Sequence, residues 1–551
     1  MVTIKDISDH ILSRWCRLLF NPICKWHYKY AFFSKAALCI SGLVFSHSLV
    51  EFSVMKLLED YLSSTWSKQH LAKVTAIINL QDGVSAVSAV IVAHFADSCV
   101  GRFNMILLST LTYITGLVLL GFSTNVGIYV GLLAVALGKS GSDPVLKDFL
   151  ADQMSGKKDF NKDEERIEVR RKVWWRIAWI LGAITVFNGT LPSWAVTFLV
   201  SILFMGASCW IFWIGFFYYD QHDLVQTPLN ICYRVFMTAI SKRHLSYPST
   251  PNEFHGNLTA GILLLPEVRF FGWLDKAAIK SSEEEGHGMF CTVEEVSAVK
   301  RLLTMMPMWA NFVAYCLIKS TSNTFFIEQS NNLKMGDRII ALFLLHSLVS
   351  FYKKCGPLVK IGAGMVFSIA CCIAACLVET RRLYLIKEEG IDPDAVDPEE
   401  QTISMTVYIL LPQFLLFALM ESLAGNGLEE FVDDHIPDSM RRYGPLFNEC
   451  ALSFGYFLSI PLLLLFRIWF GDTINRSHLQ RYYLFLAILS SIFFGIYVYL
   501  SPKYARMEVI PSESKDTELL KLEEGARDQI EFKPTETTVK GMQSTNSSTI
   551  P

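Results

Sequence analysis

Long apolar runs fill the chain from about Phe32 to Leu500, and they form two groups of six separated by one charged stretch, Tyr219 to Glu295. A helix needs about 20 mostly apolar residues to cross the ~30 Å hydrocarbon core of a bilayer, because its backbone must satisfy its own hydrogen bonds there. The plainest examples are Met105–Phe122, Ala195–Tyr218 and Arg481–Leu500. The pattern predicts an all-α membrane protein with 12 transmembrane helices in two six-helix bundles.

Six predicted spans make up each half of the chain. The N-terminal half has Phe32–Met55, Val74–Phe95, Met105–Phe122, Gly127–Leu146, Val173–Phe187 and Ala195–Tyr218. The C-terminal half has Leu303–Ile327, Ile339–Tyr352, Leu358–Val378, Ile403–Leu423, Pro445–Phe470 and Arg481–Leu500. The predicted domains are a cytoplasmic N-terminus at 1–30, an N-terminal bundle at 31–219, a cytoplasmic linker at 220–300, a C-terminal bundle at 301–500 and a disordered cytoplasmic tail at 501–551. This layout is typical of secondary transporters, whose substrate site lies near the midplane where the halves meet.

Composition agrees with a position in the membrane and indicates on which side the loops lie. Hydrophobic residues make up 52% of the chain and charged residues 18%, which is more apolar than ordinary soluble domains. The linker carries Arg234 and Lys242 and the N-terminal segment carries Arg14, so the positive-inside rule places both on the cytoplasmic side. Of the four Asn-x-Ser/Thr sequons, only those at Asn188 and Asn475 then face outward, open to glycosylation.

The chain carries little of the chemistry that other function classes need. The formal net charge is −3, and no basic stripe or reading motif indicates a nucleic-acid partner. Most of the 13 cysteines lie in apolar runs, as Cys371 and Cys372 do, where they are small core hydrophobes. Without a nucleophile elbow, phosphate loop or metal-ligand spacing, we expect no enzyme, no metal site and no cofactor other than a proton gradient. The expected partners are the lipid bilayer and a small-molecule solute, and the sequence sets no oligomeric state.

Eight motifs are spread over most of the chain: HFADSCVGRF (His94–Phe103), LADQ (Leu150–Gln153), TPLNICYRVFMTAI (Thr227–Ile240), LDKAAI (Leu274–Ile279), CTVEEVSAVKRLLTMMPMW (Cys291–Trp309), GAGMVFSIACCIAACLVETRRL (Gly362–Leu383), LLPQF (Leu410–Phe414) and PDSMR (Pro437–Arg441). In this order and spacing they resemble the plant nitrate/peptide transporter family, the NPF branch of the proton-coupled oligopeptide transporters within the major facilitator superfamily. The resemblance implies the major facilitator fold and a plasma-membrane or vacuolar location. It also implies alternating-access symport of protons with a small solute such as nitrate, a peptide or another plant metabolite.

The first of these motifs carries a candidate conformational latch. Asp97 lies at a helix end and Gly101 permits a tight turn, so Arg102 can fold back to pair with carboxylates or with helix C-terminal carbonyls. The resemblance implies that this turn acts as a latch in alternating access. The alternative is a solvated turn without such a role.

The first and fourth spans depart from the family pattern at its proton-coupling positions. Members of the family usually carry ExxER in the first helix, where this chain has Val44, His47 and Ser48. They carry a lysine in the fourth helix, where the segment SGSDP of this chain has Asp143. The sequence therefore predicts that the charged network is removed and that one imidazole and one acid remain at its positions.

A replacement network is one interpretation of these changes. Glu51 follows His47 by four residues on the same helix face, and a carboxylate inside a span is costly enough to suggest a functional site. Histidine titrates near neutral pH. His47, Glu51 and Asp143 are therefore candidates for a proton relay or gating pair, with the contact to Asp143 implied by the family fold alone. The alternative is that coupling has decayed and a wet cavity tolerates these residues.

Three further charged residues are candidates for the solute and proton pathway. Glu421 in the tenth span lies nine residues before Glu430, a spacing that matches the family stretch whose first glutamate lines the central site. Lys319 in the seventh span either attracts an anion or snorkels to the interface. Asp82 lies inside the second span.

The eighth predicted span, Ile339–Tyr352, is shorter than the about 20 residues of a straight crossing. The resemblance implies that this helix borders the cavity, so substrate specificity does not carry over from the family.

Two function classes remain open from the sequence. The first is a secondary active transporter, a proton-coupled symporter of a small anionic or zwitterionic solute. The second is an uncoupled facilitator, or a transport-deficient membrane protein that senses or scaffolds, which the loss of the ExxER and lysine set would explain. Dependence of uptake on a proton gradient separates the two.

Overall fold

A computed structural model provides the structure of the protein. It describes residues 35–66, 71–122, 124–154, 164–188, 193–220, 227–246, 266–280, 291–331, 333–334, 355–391, 403–471 and 473–506. Three predicted regions lie outside these residues, namely the N-terminus at 1–30, the eighth span, and the tail beyond residue 506.

Eight helices among the described residues are long and apolar enough to cross a membrane. They are Lys35–Met55, Leu71–Val100, Arg102–Gly121, Trp194–Tyr218, Pro357–Glu389, Val407–His435, Gly444–Leu465 and Leu479–Tyr504. A ninth candidate is the pair Val293–Asn311 and Val313–Ser330, which bends by 57° at its break. The fourth and fifth predicted spans are the helices Asn125–Met154 and Glu164–Asn188. Every predicted span within the described residues therefore has a helical counterpart, and each keeps its ordinal number.

Several spans consist of shorter helical segments. The α-helices are Lys35–Val50, Leu58–Thr65, Leu71–Phe95, Arg102–Gly121, Asn125–Met154, Glu164–Asn188, Trp194–Ile214, Pro228–Ser241, Val293–Thr304, Met306–Asn311, Val313–Asn323, Phe325–Asn331, Pro357–Glu389, Leu411–Met420, Asn426–His435, Asp438–Arg441, Gly444–Leu465 and Leu479–Tyr504. The 3-10 helices are Gly215–Tyr218, Lys242–His244, Pro266–Ala278, Val407–Leu410 and Arg467–Trp469. Short π-helical segments interrupt the first, second and tenth spans at Glu51–Met55, Ala96–Val100 and Glu421–Gly425. Such π segments are frequent at functional sites, because they re-aim side chains within a helix.

The predicted start of the tenth span is wrong by four residues. Ile403–Thr406 forms a short strand that pairs in parallel with Leu333–Lys334, and the helical span begins at Val407. Ile403 and Thr406 are β-branched, which favours extended backbone. Pro412 then occupies one of the first positions of the following α-helix, where its missing N–H breaks no bond. The all-α prediction holds apart from this two-stranded sheet.

The seventh span begins at Val293, inside the predicted linker. Thr292 and Glu295 form a capping box there, because the Thr292 side chain accepts from the Glu295 amide at 3.2 Å and the Glu295 carboxylate accepts from the Thr292 amide at 3.0 Å. Arg234 of the linker also pairs with Glu295. A buried ion pair, Lys300 to Asp275 at 2.6 Å, joins the same helix to the 3-10 segment of the linker. The linker is thus fixed to the start of the C-terminal half.

Small residues let the third and fourth spans pack closely. A Cβ on Gly138 would lie 2.6 Å from the Tyr113 backbone, and one on Gly116 would lie 2.7 Å from Val135. Glycines at such helix contacts allow the two backbones to approach. The contact at Gly138 fixes the position of Lys139, the next residue along the fourth span.

One outward sequon is buried. The side chain of Asn475 accepts a hydrogen bond from Arg382 at 2.6 Å, and Asn475 is only 6% exposed. Ser477, the third residue of the sequon, is also buried. The prediction that Asn475 is open to glycosylation is therefore wrong for the folded chain.

Candidate functional site

An ion pair between the first and fourth spans lies at the centre of the N-terminal half. The Lys139 ammonium donates to Glu51 at 3.0 Å, and Asp82 of the second span lies 4.0 Å from the same nitrogen. Glu51 is the first residue of the π-helical segment Glu51–Met55. The π turn closes where the Lys56 amide donates to the Glu51 carbonyl at 2.8 Å. We call Glu51 and Lys139 the N-terminal pair.

A second ion pair joins the seventh and tenth spans of the C-terminal half. Lys319 lies 3.1 Å from Glu421, and both side chains are largely buried. Glu421 is likewise the first residue of a π-helical segment, Glu421–Gly425. The segment is held against the ninth span by Gly364, where a Cβ would lie 2.4 Å from the Ala424 backbone. We call Lys319 and Glu421 the C-terminal pair.

Lys56 and Asp82 connect the two pairs across the interface of the halves. Lys56 donates to Asn323 of the seventh span at 2.8 Å, and its charge interacts with Glu51, Asp82 and Glu421. Asp82 interacts in turn with Lys139 and with Lys319. The central cluster is therefore the set of the N-terminal pair, the C-terminal pair, Lys56 and Asp82. It presents charges of both signs from both halves.

The structure does not join His47 to Glu51 by a hydrogen bond. His47 is buried at 3% exposure, and its Nε2 has no hydrogen-bond partner among the described residues. Its ring lies 5.5 Å from that of Tyr113. The charges of Asp143 and Glu51 act on His47 through space, while Glu51 itself pairs with Lys139. The relay of His47, Glu51 and Asp143 stays a prediction.

The residues at the family's charged positions are replaced as predicted from the sequence, but the first and fourth spans still form an ion pair, between Glu51 and Lys139. Lys139 precedes Asp143 by four residues, and Glu51 follows His47 by four residues. The first and fourth spans run in opposite directions, so both partners are displaced the same way, by one turn or about 6 Å. The Glu51–Lys139 ion pair therefore lies about one turn nearer the predicted outer end than the positions aligned with the family motifs.

Sequence reasoning missed Lys139 and Lys56, although a signal was present for both. Lys139 lies inside the predicted span Gly127–Leu146, and Lys56 follows directly on the span that ends at Met55. An ionisable residue within a span is a functional-site candidate by default. The family lysine aligns with Asp143, so Lys139, one turn earlier, was not considered as its counterpart.

A second cluster of charges forms around the candidate latch. Gly101 has φ = +84°, a backbone conformation that favours glycine, and it lets Arg102 turn back onto Asp97 at 2.7 Å. Arg102 also pairs with Asp152 of the fourth span. Asp97 lies in the π-helical segment Ala96–Val100. We call this set, with the residues that contact it from the other half, the inner cluster.

The inner cluster crosses from one half to the other. Arg442 pairs with Asp148 at 3.1 Å and with Asp152 at 3.3 Å. The Tyr443 hydroxyl donates to Asp97 at 2.8 Å. The prediction named Asp97, Gly101 and Arg102 alone; the LADQ motif and the residues after PDSMR held the partners. The two halves are therefore in contact at the predicted cytoplasmic end, and the latch role of this contact stays a prediction.

Comparison with known proteins places these features in a family context. A family model described as POT family, PTR2, matches residues 103–466, more than half of the chain. Protein NRT1/ PTR FAMILY 5.7 of Arabidopsis thaliana is 28% identical over 553 residues, covering 87% of this chain and 89% of the relative.

Solved structures give the fold. An auto-inhibited POT family peptide transporter matches with a TM-score of 0.62 at 14% identity, covering 88% of this chain and 100% of that chain. The POT family transporter PepTSo also matches with a TM-score of 0.62, at 15% identity, covering 87% of this chain and 99% of that chain. The chain accordingly has the major facilitator fold of these transporters, with two six-helix bundles.

Proposed function

The chain belongs to the POT family, and from that premise we propose that it is a proton-coupled symporter of a small solute that carries charges of both signs. It is a multi-pass membrane protein of a transporter family, not of an enzyme family. The observation that carries the proposal is the ion pair between Glu51 and Lys139. The proposed membrane is the plasma membrane or the vacuolar membrane, which a fluorescent fusion in plant cells distinguishes.

The proposed proton acceptor is the Glu51 carboxylate. When Glu51 binds a proton, it becomes neutral and the attraction to Lys139 is lost. Lys139 then has Asp82 as its remaining carboxylate, 4.0 Å away. Because an unpaired charge inside a span is costly, protonation of Glu51 biases the fourth span toward a new position or toward binding an anionic group of the solute. A proton at one side chain is thereby coupled to a movement of helices.

The proposed solute site is the space between the two pairs. Lys56 and Lys319 offer cations to a carboxylate or similar anionic group, while Asp82 and Glu421 offer anions to an amino group. A solute with both kinds of group can replace interactions on the two halves at once. This balance of charges supports a zwitterionic solute such as a short peptide over a single small anion such as nitrate.

The inner cluster is proposed to hold the cytoplasmic end closed while the solute binds from the outer side. Arg442 and Tyr443 of one half must leave Asp148 and Asp97 of the other before that end opens. The pairs of Arg442 are partly exposed, and exposed ion pairs are worth only about 0.2–1 kcal/mol each, so these pairs can be exchanged during a transport cycle. Alternating access requires contacts of that strength.

The experiment that tests the proposal is uptake into proteoliposomes of the purified protein. A panel of radiolabelled dipeptides, amino acids and nitrate is tested under two conditions, with an inward proton gradient and with the gradient collapsed by a protonophore. Protein-free vesicles serve as the control. We expect accumulation of a zwitterionic solute above equilibrium only with the gradient. Uptake that reaches equilibrium equally fast without a gradient would instead identify an uncoupled facilitator.

A further inference from the structure

A buried carboxyl group lies beyond the end of the first span. Glu59, in the helix Leu58–Thr65, is 1% exposed. Its Oε1 accepts a hydrogen bond from the Thr75 hydroxyl of the second span at 3.0 Å. Its Oε2 is buried and has no hydrogen-bond partner among the described residues. A carboxyl oxygen in such a position can carry a proton without losing any bond.

The group that faces Glu59 from the other half is also a carboxyl group. Lys56, directly after the first span, donates to Asn323 of the seventh span at 2.8 Å, which brings the next turns of the two segments together. Glu328 lies on that next turn, in the helix Phe325–Asn331, and its charge acts directly on Glu59. The charges of two carboxyl groups from opposite halves therefore act on each other near the predicted outer end, opposite the inner cluster.

The charges around the two carboxyl groups differ. Those that act on Glu59 are Glu328 and Asp60, both acids. Glu328 also interacts with Arg382 of the ninth span, which is itself paired with Glu379 at 2.8 Å. Glu328 thus has a cation nearby, whereas Glu59 has none of the described cations acting on it. Of the two carboxyl groups, Glu59 is the one whose surroundings favour a bound proton.

Burial raises the pKa of Glu59 well above that of an exposed glutamate, and the charge of Glu328 raises it further, while the Thr75 hydrogen bond opposes the rise. The closed outer end therefore binds a proton that an opened, hydrated Glu59 releases at neutral pH. Closure is favoured below the ordinary pKa of glutamate and loses stability as the pH rises through the raised pKa. Acidity on the outer side favours the closed outer end.

We propose that Glu59 and Glu328 form a proton-binding site in the outer gate, in which one proton shared between the halves holds the outer end closed. The inference rests on the proposed function, since it assigns a step of alternating access. It is separate from the Glu51 site, because its proton acts on the gate and not on the central cluster. A transporter loaded outside would close behind its solute once this proton has bound.

The test measures the outer distance directly. Spin-labelled unnatural amino acids replace Val126 and Lys387, exposed positions of the fourth and ninth spans near the predicted outer end, because the chain's 13 native cysteines exclude thiol labels. Distances are measured by pulsed electron resonance in lipid nanodiscs at an acidic pH of about 5.5 and a neutral pH of about 7.5, because burial raises the pKa of Glu59. One linked proton shifts the open-to-closed ratio by up to about tenfold per pH unit.

We expect the short-distance population to dominate at the lower pH and to decline at the higher pH. Glu59→Gln mimics the protonated acid and should stay closed at both pH values, and Glu328→Gln should do so independently from the other half. Glu388→Gln, at an exposed acid of the ninth span, should behave as the unchanged protein. The proposal would be overturned if the distance in the unchanged protein did not change with pH, or if the pH response persisted in both gate variants. Closure by added Ca²⁺ at the higher pH without any response to acid would also overturn it, because the two carboxyl groups would then bind a cation and not a proton.

Uptake measured on the same preparations separates this proposal from the proposed function. Uncoupled uptake combined with a pH-dependent outer distance would overturn symport and leave the outer site standing. Coupled uptake with a distance that is constant in pH would overturn the outer site alone.

Discussion

The two ion pairs of the central cluster have the same geometry but opposite placement of charge. In the N-terminal half the acid, Glu51, is on the first span and the lysine, Lys139, is on the fourth, at 3.0 Å. In the C-terminal half the lysine, Lys319, is on the seventh span and the acid, Glu421, is on the tenth, at 3.1 Å. In the major facilitator fold the first span corresponds to the seventh and the fourth to the tenth. Corresponding positions therefore carry opposite charges, which suits a solute that is itself positive at one end and negative at the other.

The surroundings of the pairs differ as well. Lys139 has a second carboxylate, Asp82, at 4.0 Å, so it keeps a partner when Glu51 is protonated. Lys319 lies among Tyr315, Tyr456 and Glu421, with Glu449 the other acid acting on it. Hydroxyl groups beside an ion pair suit recognition of a solute, whereas a spare carboxylate suits exchange of a proton. On this comparison we propose that the N-terminal pair serves proton coupling and the C-terminal pair serves solute binding.

Removal of Lys139 should disturb this arrangement most. Lys139→Ala removes the cation that is hydrogen-bonded to Glu51 and lies 4.0 Å from Asp82, leaving these acids only more distant cations such as Lys56, and breaking a buried ion pair costs about 3–5 kcal/mol. We expect loss of uptake in oocytes at matched surface expression and a lower melting temperature in detergent. Lys387→Ala, at an exposed lysine, is the matched control. The exchange Glu51→Lys with Lys139→Glu copies the C-terminal placement and should recover part of the uptake; no recovery would argue against an ion-pair role.

The next largest effect is expected at the C-terminal pair. Glu421→Gln keeps the shape and removes the charge, and loss of a charge-assisted hydrogen bond costs about 1.5–3 kcal/mol, so KM should rise about tenfold or more. Dependence on the proton gradient should persist. Uptake kinetics compared with Glu388→Gln check this, and equal, small changes in both variants would mean that Glu421 is only a tolerated buried acid.

A smaller effect is expected at the inner cluster. Arg442→Ala removes contacts to Asp148 and Asp152 that join the halves, whereas Arg441 contacts Asp433 of the same half, at 3.3 Å to its carbonyl and 3.5 Å to its carboxylate. Because Arg442 is 42% exposed, we expect its loss to cost about 0.2–1 kcal/mol and to lower uptake by about twofold to fivefold. Arg102→Ala should lower uptake in the same direction. Full uptake in both variants at matched expression would remove the latch role.

The smallest effect is expected at His47. Its Nε2 has no hydrogen-bond partner among the described residues, and Glu51 is held by Lys139. His47→Gln should therefore leave the pH profile of uptake nearly unchanged, as measured over the acidic to neutral range. A flattened profile would restore the relay of His47, Glu51 and Asp143 and weaken the assignment of coupling to the N-terminal pair.

Much of the fold could be predicted from the sequence because hydrocarbon imposes length and polarity on every crossing. Apart from their ends, the spans that the sequence predicted are helices wherever the structure describes them. The errors fall at ends, where local chemistry decides: β-branched residues make Ile403–Thr406 a strand, and the Thr292 capping box starts the seventh span early. Burial of the Asn475 sequon depends on Arg382, a contact between distant spans that no local pattern contains.

The sequence predicted the acidic residues of the candidate site but not which residues pair with each other. The acids Glu51, Asp82 and Glu421 and the base Lys319 could be named because each is an ionisable residue inside a span. Lys139 was missed because its role depends on a one-turn shift shared by two helices, which alignment position by position cannot reveal. The π-helical segments that open at Glu51 and Glu421 have no simple sequence signature, so the match between the two pairs needed coordinates.

The most direct test of proton coupling at the N-terminal pair compares two modes of transport in Glu51→Gln. Proteoliposomes of the variant and the unchanged protein are assayed for accumulation driven by a proton gradient and for exchange of labelled against unlabelled solute without a gradient. If Glu51 is the coupling acid, the variant should lose gradient-driven accumulation and retain exchange, because exchange needs no net proton movement. Accumulation in the variant equal to that of the unchanged protein would contradict the assignment.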